Sequence, residues 1–287
     1  MKPTVVFQTD FGSGGGAVMA GVVRSIDPEV GTYDFTHDIE PYNIREAAYQ
    51  LSTVVPYWPA GTVFVSVVDP GVGTSRTACV AKLACGSYVA TPDNGTLTMV
   101  ADDIVEVRRI DETVNRLPGS ENVHIFNGRD VFAYTAGRLA AGIIGFDGVG
   151  PAYPVSKIVR LALTNVAPRL GEGWAEGGVY NFDVPYGSAR INIRNLDFQQ
   201  VAGFSYGDLV HVRVTDGDRI VYEGPARYAR TFGDVEEGVA TLVGDIQPGE
   251  RQMLRFNTGN FIREYAPELE GDQSLAVNYR FRFERAL

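Results

Sequence analysis

The sequence predicts an α/β N-terminal domain with a mainly parallel sheet, followed by a C-terminal all-β, barrel-like domain. Three observations carry this expectation. Over the first half of the chain, apolar β-type runs alternate with segments of helical spacing. Those runs are continuous rather than alternating, as in strands covered on both faces. After about Ala167 the helical spacing stops, and short strands recur between Gly/Asp turns.

In chain order, Thr4-Val5-Val6-Phe7 reads as a buried strand ending in Gln8-Thr9-Asp10-Phe11-Gly12 and a glycine cluster. A helix is expected from about Ala17 to Ile26, stopped before Pro28, and a strand from Gly31 to Phe35. Apolar residues at Ile44, Ala47, Ala48, Leu51 and Val55 have helical spacing, and Thr62 to Val68 is a β-branched and aromatic run. Strands near Ala78–Ala81 and Tyr88–Ala90 and a helix from Asp130 to Ala141 complete this half. Beyond it, strands are expected at Gly178–Val184, Ala189–Ile193, Leu209–Thr215, Arg219–Gly224, Val239–Val243, Met253–Phe256 and Val277–Phe283. Asp216-Gly217-Asp218 reads as a hairpin turn. The expected domains are 1–165 and 175–287, joined through Thr164–Glu176 with Pro168, Gly171 and Gly173.

Composition narrows the function classes. Of 287 residues, 45% are hydrophobic and 21% charged, which is enough apolar material for globular cores. A net charge of −10 argues against a nucleic-acid backbone as partner and tolerates a cationic ligand. The opening MKPTVVFQTDFG is read as neither signal peptide nor membrane span. Cys79 and Cys85 are the two cysteines, and the expected compartment is the cytoplasm with both thiols reduced.

Ligands of open α/β sheets bind beyond the carboxyl ends of the strands. The polar residues at those ends are Asp10, the Asp34/His37/Asp38 group, Asp69 and Asp93-Asn94. Each taken singly also fits turn closure or helix capping. The sharpest segment is Ser66 to Arg76, in which a buried strand delivers Asp69 and a Pro/Gly turn returns Arg76 to pair with it. Such a pair either orients a water-positioning carboxylate or simply pins the turn. Ile125-Phe126-Asn127-Gly128-Arg129-Asp130 is a loop at a helix start, suited to ligand contact, where Asp130 fits a first helical turn and Arg129 can pair locally. His37, His124 and His211 show no metal-ligand spacing, and the phosphate-loop, GxGxxG and GxSxG patterns do not occur.

These segments, in this order, resemble the S-adenosylmethionine hydroxide adenosyltransferases, relatives of fluorinating and chlorinating adenosyl enzymes. The matching stretches are Thr9-Asp10-Phe11-Gly12, Asp34-Phe35-Thr36-His37, Pro41-Tyr42-Asn43-Ile44, VVDPGVGTSR, Thr91-Pro92-Asp93-Asn94-Gly95 and Gly128-Arg129-Asp130-Val131-Phe132-Ala133. Asp183-Val184-Pro185-Tyr186-Gly187-Ser188 and Arg255-Phe256-Asn257 match more loosely. The resemblance implies hydrolysis of S-adenosylmethionine to adenosine and methionine by water attack at ribose C5′. It implies no cofactor or metal, and a homotrimer in which each site lies between one subunit's N-terminal domain and a neighbour's barrel. It also implies roles. Asp10 would bind the ribose hydroxyls, Tyr42 would pack near sugar and sulfonium, and Asp183 would hold the methionine amino group. Phe232, Phe256 and Asn257 would frame the adenine, with Phe126, Gly128, Tyr186, Ser188 and Thr258 as further contacts. Asp69, Arg76 and Asn127 would be catalytic.

The chain departs from that family at Ile125 and Asn127, where threonine and histidine are usual, and an amide cannot accept a proton at neutral pH. Ser188 stands where halogenating relatives carry asparagine. The alternatives to metal-free hydrolysis of S-adenosylmethionine are a binding protein with weakened turnover, a halide-dependent adenosyl transferase, and a metal-dependent hydrolase using the acidic edge.

Overall fold

A continuous apolar strand must be covered on both faces, and the N-terminal sheet of the computed structural model meets that demand. The structure describes residues 2–183, 185–245 and 251–286, and Val184 of the strand expected at Gly178–Val184 lies outside them. The chain divides into two compact units, Met1–Leu161 and Ala162–Leu287.

The first unit holds β1 (Thr4–Thr9), α1 (Ser13–Ile26), β2 (Gly31–Thr36), α2 (Ile44–Val54), β3 (Val63–Val67), β4 (Ala78–Leu83), β5 (Tyr88–Pro92), β6 (Ile104–Arg109), α3 (Tyr134–Ala140) and β7 (Ala152–Tyr153). Its seven strands lie in the order β2-β1-β3-β5-β4-β6-β7. Strands β2, β1, β3 and β5 form a contiguous parallel set, whereas β4, β6 and β7 extend it through antiparallel pairings. The sheet is therefore mixed beyond its parallel core. The cause is local: β4 turns directly into β5 through Gly86, and so short a connection joins only antiparallel neighbours.

Successive residues of the parallel strands face opposite layers. Val5, Phe7, Val63, Val65 and Val67 pack with Met19 and Val23 of α1 and Ala136 and Ala140 of α3. Val6 and Phe64 pack on the other face with Leu51 of α2 and Val55. Helix α2 is capped by the Asn43 side chain, which accepts from the Glu46 backbone N–H at 2.9 Å. Helix α1 starts at Ser13 rather than near Ala17, so the glycine cluster is its first turn. A Cβ at Gly16 would overlap the His37 ring, and this contact explains a glycine-rich start that helix propensity opposes. The expected Asp130–Ala141 helix opens instead as a π-helical turn over Gly128–Ala133 before α3.

The second unit contains β8 (Arg169–Gly171), β9 (Trp174–Asp183), β10 (Ser188–Arg194), α4 (Asn195–Gln200), β11 (Leu209–Asp216), β12 (Arg219–Tyr228), β13 (Ala240–Gly244), β14 (Arg251–Phe256), α5 (Phe261–Tyr265) and β15 (Tyr279–Arg285). Pairing runs β9-β10-β14-β13-β12-β11-β15 and returns to β9, closing a seven-stranded barrel with β8 appended to β9. Closure removes the free edges that short strands would otherwise expose. Aromatic rings fill the interior, with Phe198 stacked on Phe204 at 4.3 Å and edge-on to Tyr228 at 5.2 Å. The stretch expected as a linker is bonded to this barrel, because Asn165 N–H donates to Val277 O at 2.7 Å and Asn192 Nδ2 donates to Val166 O at 2.8 Å.

Glu176 staples the barrel seam. Its side chain is 8% exposed, and Oε1 accepts from Arg169 at 2.6 Å and from Arg280 at 2.5 Å. Burial alone would push the carboxyl up, but the two arginines outweigh it and hold it below the usual glutamate value. A depressed folded-state value gives stability that is present above the unfolded glutamate's range and is lost as pH falls through the folded value. Glu176→Gln should therefore cost about 1–2 kcal/mol at pH 7, with both arginines partly exposed. In urea titrations the gap between variant and wild type should narrow steadily below about pH 4.5.

Candidate functional site

The parallel strands deliver their carboxyl ends side by side, and a cleft of about 430 Å³ opens there. It is lined by Asp10, Phe11, Pro41, Tyr42, Val67, Asp69, Val72, Ile125, Phe126, Asn127 and Gly128. Asp10 follows β1, Tyr42 lies between β2 and α2, Asp69 follows β3, and Phe126 to Gly128 lead into the π-helical turn. Six of the residues marked out in the sequence thus share one cavity: Asp10, Tyr42, Asp69, Phe126, Asn127 and Gly128.

Asp10 Oδ2 accepts from the Tyr42 backbone N–H at 3.0 Å, tying two strand ends together. Tyr42 has φ +70°, a conformation that costs a non-glycine residue energy and that this bond helps to hold. Tyr42 as a whole is 70% exposed and lines the cleft.

Asp69 and Arg76 are paired as the turn sequence suggested. Asp69 Oδ2 accepts from Arg76 Nε at 2.9 Å and Nη2 at 2.6 Å. Asp69 Oδ1 accepts from the Gly71 backbone N–H at 3.2 Å and retains capacity for a second donor. Both side chains are largely buried, and the Arg76 guanidinium lies over the Phe132 ring at 5.3 Å. The Asn94 side-chain amide donates to Val68 O at 2.8 Å and so steadies the strand end that carries Asp69.

Other strand-end candidates serve the scaffold. Asp93 is buried and accepts from Tyr153 Oη and the Val159 backbone N–H, both at 2.8 Å. Burial, then that bond, push the Tyr153 phenol up. Burial and nearby Asp93 also push up the thiol of Cys79, which like Cys85 is free. His37 Nδ1 lies 2.8 Å from Thr9 Oγ1, and Asp34 Oδ1 lies 3.1 Å from Nε2. Asp130 is fully buried in a two-point ion pair with Arg129. Among the described residues, no group of three or more His, Cys, Asp or Glu side chains is placed to hold a metal ion.

Asn127 is buried, and its Oδ1 accepts from Arg116 Nη2 at 3.4 Å. Arg116 carries no sequence signal, since it lies in an irregular stretch eleven positions before its partner. Gly128 is set by close approach, because a Cβ there would stand 2.6 Å from Phe11 Cε2. Phe11 in turn meets Phe126 edge-on at 5.7 Å.

Within the barrel unit, the remaining candidates fall into two groups. Arg255, which sequence reasoning did not assign a role, is sandwiched 4.4 Å from the Tyr186 ring and 4.6 Å from the Phe232 ring. Asn257 Nδ2 donates to Val235 O at 2.8 Å and Phe232 O at 3.2 Å, so it shapes the loop that carries Phe232. Thr258 follows at φ +64°. Phe256 is 5% exposed and stacks on Tyr265 within the barrel core. On the other side of β14, Asp183 accepts from Arg190 at 3.3 Å, and Ser188 is fully buried with its Oγ unpartnered.

The packing of Gly128 against Phe11 makes one direct prediction. Gly128→Ala must displace the Phe11 ring, costing about 1–3 kcal/mol of stability by overpacking. Calorimetry should show the lower Tm, and ligand titration should show weaker binding in the reshaped cleft.

Comparison with known proteins identifies the family. Residues 5–150 match the family described as SAM hydroxide adenosyltransferase N-terminal domain. An (R)-S-adenosyl-L-methionine hydrolase from Thermus thermophilus is 39% identical over 247 residues, spanning 83% of this chain and 86% of that protein. Another from Salinispora tropica is 41% identical over 177 residues, 61% of this chain and 67% of that protein. Fluorinases are more distant, at 27% over 229 residues (71% of this chain and 76% of that protein) for the one from Actinoplanes sp.. A crystal structure of an uncharacterized conserved protein from Thermotoga maritima superposes with TM-score 0.78 at 30% identity, covering 98% of this chain and 100% of that one. With residues 5–150 matched by the family and a relative 39% identical across 83% of this chain, the protein belongs to the SAM hydroxide adenosyltransferase family.

Proposed function

We propose that this protein hydrolyses S-adenosyl-L-methionine to adenosine and L-methionine. The observation that carries the reading is Asp69, lining the cleft with Oδ2 committed to Arg76 and Oδ1 able to accept another proton donor. A water donating to Oδ1 has its oxygen lone pair free for attack at ribose C5′. The oxygen–C5′ bond forms as the C5′–sulfur bond breaks in line, and the sulfonium's bonding pair stays on sulfur as the neutral thioether of methionine. The proton released from water passes to Asp69 or to solvent. A thioether leaves without a general acid, so the protein's work is alignment and exclusion of bulk water, and no cofactor enters the scheme.

Asp10 suits the ribose, because a carboxylate accepts from vicinal hydroxyls. Beside Asp69, halide would meet a carboxylate, whereas water can donate to it, and this favours hydrolysis over halogenation. We further place the protein in the cytoplasm as a homotrimer. The exposed Tyr42 and Ile125 at the cleft, 70% and 84% accessible in the single chain, are apolar surface suited to cover by a neighbour. In such a trimer, Asp183, Tyr186, Ser188, Phe232, Phe256, Asn257 and Thr258 would contribute the methionine and adenine contacts. Light scattering should return three times the chain mass; a monomer would contradict the trimer.

Incubation with S-adenosylmethionine should yield adenosine and methionine in equal amounts, unchanged by chloride, on chromatography of the products. Asp69→Asn should lower kcat by about 10²-fold or more. Absence of adenosine from wild type, or chloride-dependent 5′-chloro-5′-deoxyadenosine, would overturn the hydrolase reading.

A further inference from the structure

Asn127 stands in the cleft as a carboxamide, a group that can offer either its oxygen or its NH₂ to a ligand. Which end it offers is decided behind it. Arg116 has five N–H donors and no acceptor, and its Nη2 lies 3.4 Å from Asn127 Oδ1. The opposite rotamer would set an NH₂ against a guanidinium, donor against donor. Arg116 is itself held firmly: its side chain is 9% exposed, Nη2 pairs with Glu112 Oε2, and Nη1 donates to Val123 O at 3.0 Å and Ser120 O at 3.5 Å. One guanidinium thus fixes the loop leading to Asn127 and the sense of its amide. Among the described residues, no hydrogen bond from Asn127 Nδ2 accompanies the one to Oδ1.

We propose that Arg116 is a positioning residue that aims the Asn127 NH₂ into the cleft, so that the attacking oxygen accepts from Asn127 Nδ2 while it donates to Asp69 Oδ1. This rests on the hydrolase reading and adds to it the polarity of the nucleophile's seat. A donor and an acceptor at separate points select an oxygen that can both accept and donate. Water meets that requirement and halide does not. The product's 5′-hydroxyl, occupying the same seat, meets it too.

Two measurements test this. In a double-mutant cycle, Arg116→Met should lower kcat about tenfold or more with KM for S-adenosylmethionine within about threefold. In an Asn127→Ala background, the same change should alter kcat by less than about twofold. Arg116→Lys, which keeps charge but not the fork, should recover only part of the loss. Equal losses in both backgrounds, or losses that follow Tm, would make Arg116 merely structural and overturn the proposal.

The second measurement needs no turnover. By calorimetric titration, wild type should bind adenosine about tenfold more tightly than 5′-deoxyadenosine, and Arg116→Met should bring the ratio close to one. A wild-type ratio near one, or a ratio that Arg116→Met leaves intact, would overturn the proposal. If wild type makes no adenosine from S-adenosylmethionine, the hydrolase reading fails, and the binding ratio still decides the role of Arg116.

Discussion

The site depends on a carboxylate that cannot turn away. Asp69 follows a strand buried along its whole length, and the Arg76 guanidinium, seven positions on, grips its Oδ2 through Nε and Nη2. Desolvating an ion pair is costly, and a turn needs no such device merely to close. Here the cost is offset by three hydrogen bonds on the carboxylate and by the Phe132 ring beneath Arg76. The outcome is one oxygen committed to Arg76 and another that accepts once from the Gly71 N–H and keeps room for a further donor. Rigid placement of that kind is how a protein accelerates a displacement whose leaving group needs no help.

The same logic recurs around the cleft. Asp10 spends Oδ2 on the Tyr42 backbone, and Asn127 spends its carbonyl oxygen on Arg116. In each case a protein partner holds one end of a bifunctional side chain and leaves the other end for the cavity. Apolar packing completes the arrangement, since Gly128 admits the Phe11 ring and Phe11 meets Phe126. Beneath all of this, four parallel strands present their ends at one edge, because α1 and α3 cover one face of the sheet and α2 covers the other.

How much of this was legible in the sequence follows from the range of each interaction. The continuous apolar runs of β1 and β3, the spacing of α2 and the Asp216–Asp218 hairpin are local patterns, and all were readable. So was the Asp69–Arg76 pair, because both partners sit in one short turn. Strand β6, Ile-Val-Glu-Val-Arg-Arg, mixes charges into its run, and β7 has two residues, so neither announces itself. Helix α5 has five residues, too few for a period. Asp93 and Asp69 look alike in sequence, each an acid after a strand. Only the fold reveals that Tyr153, sixty residues on, takes Asp93 into the scaffold. Arg116 and Arg255 escaped for the same reason: their partners are reached through loops and ring stacking that no periodicity encodes.

If water seated at Asp69 attacks ribose C5′, the oxygen it brings ends in the nucleoside. Reaction in ¹⁸O-labelled water, followed by mass spectrometry of the products, should give one ¹⁸O atom in adenosine, on the 5′-oxygen, and none in methionine. Unlabelled adenosine, or label carried by the amino-acid product, would contradict attack at C5′ and with it the role assigned to Asp69.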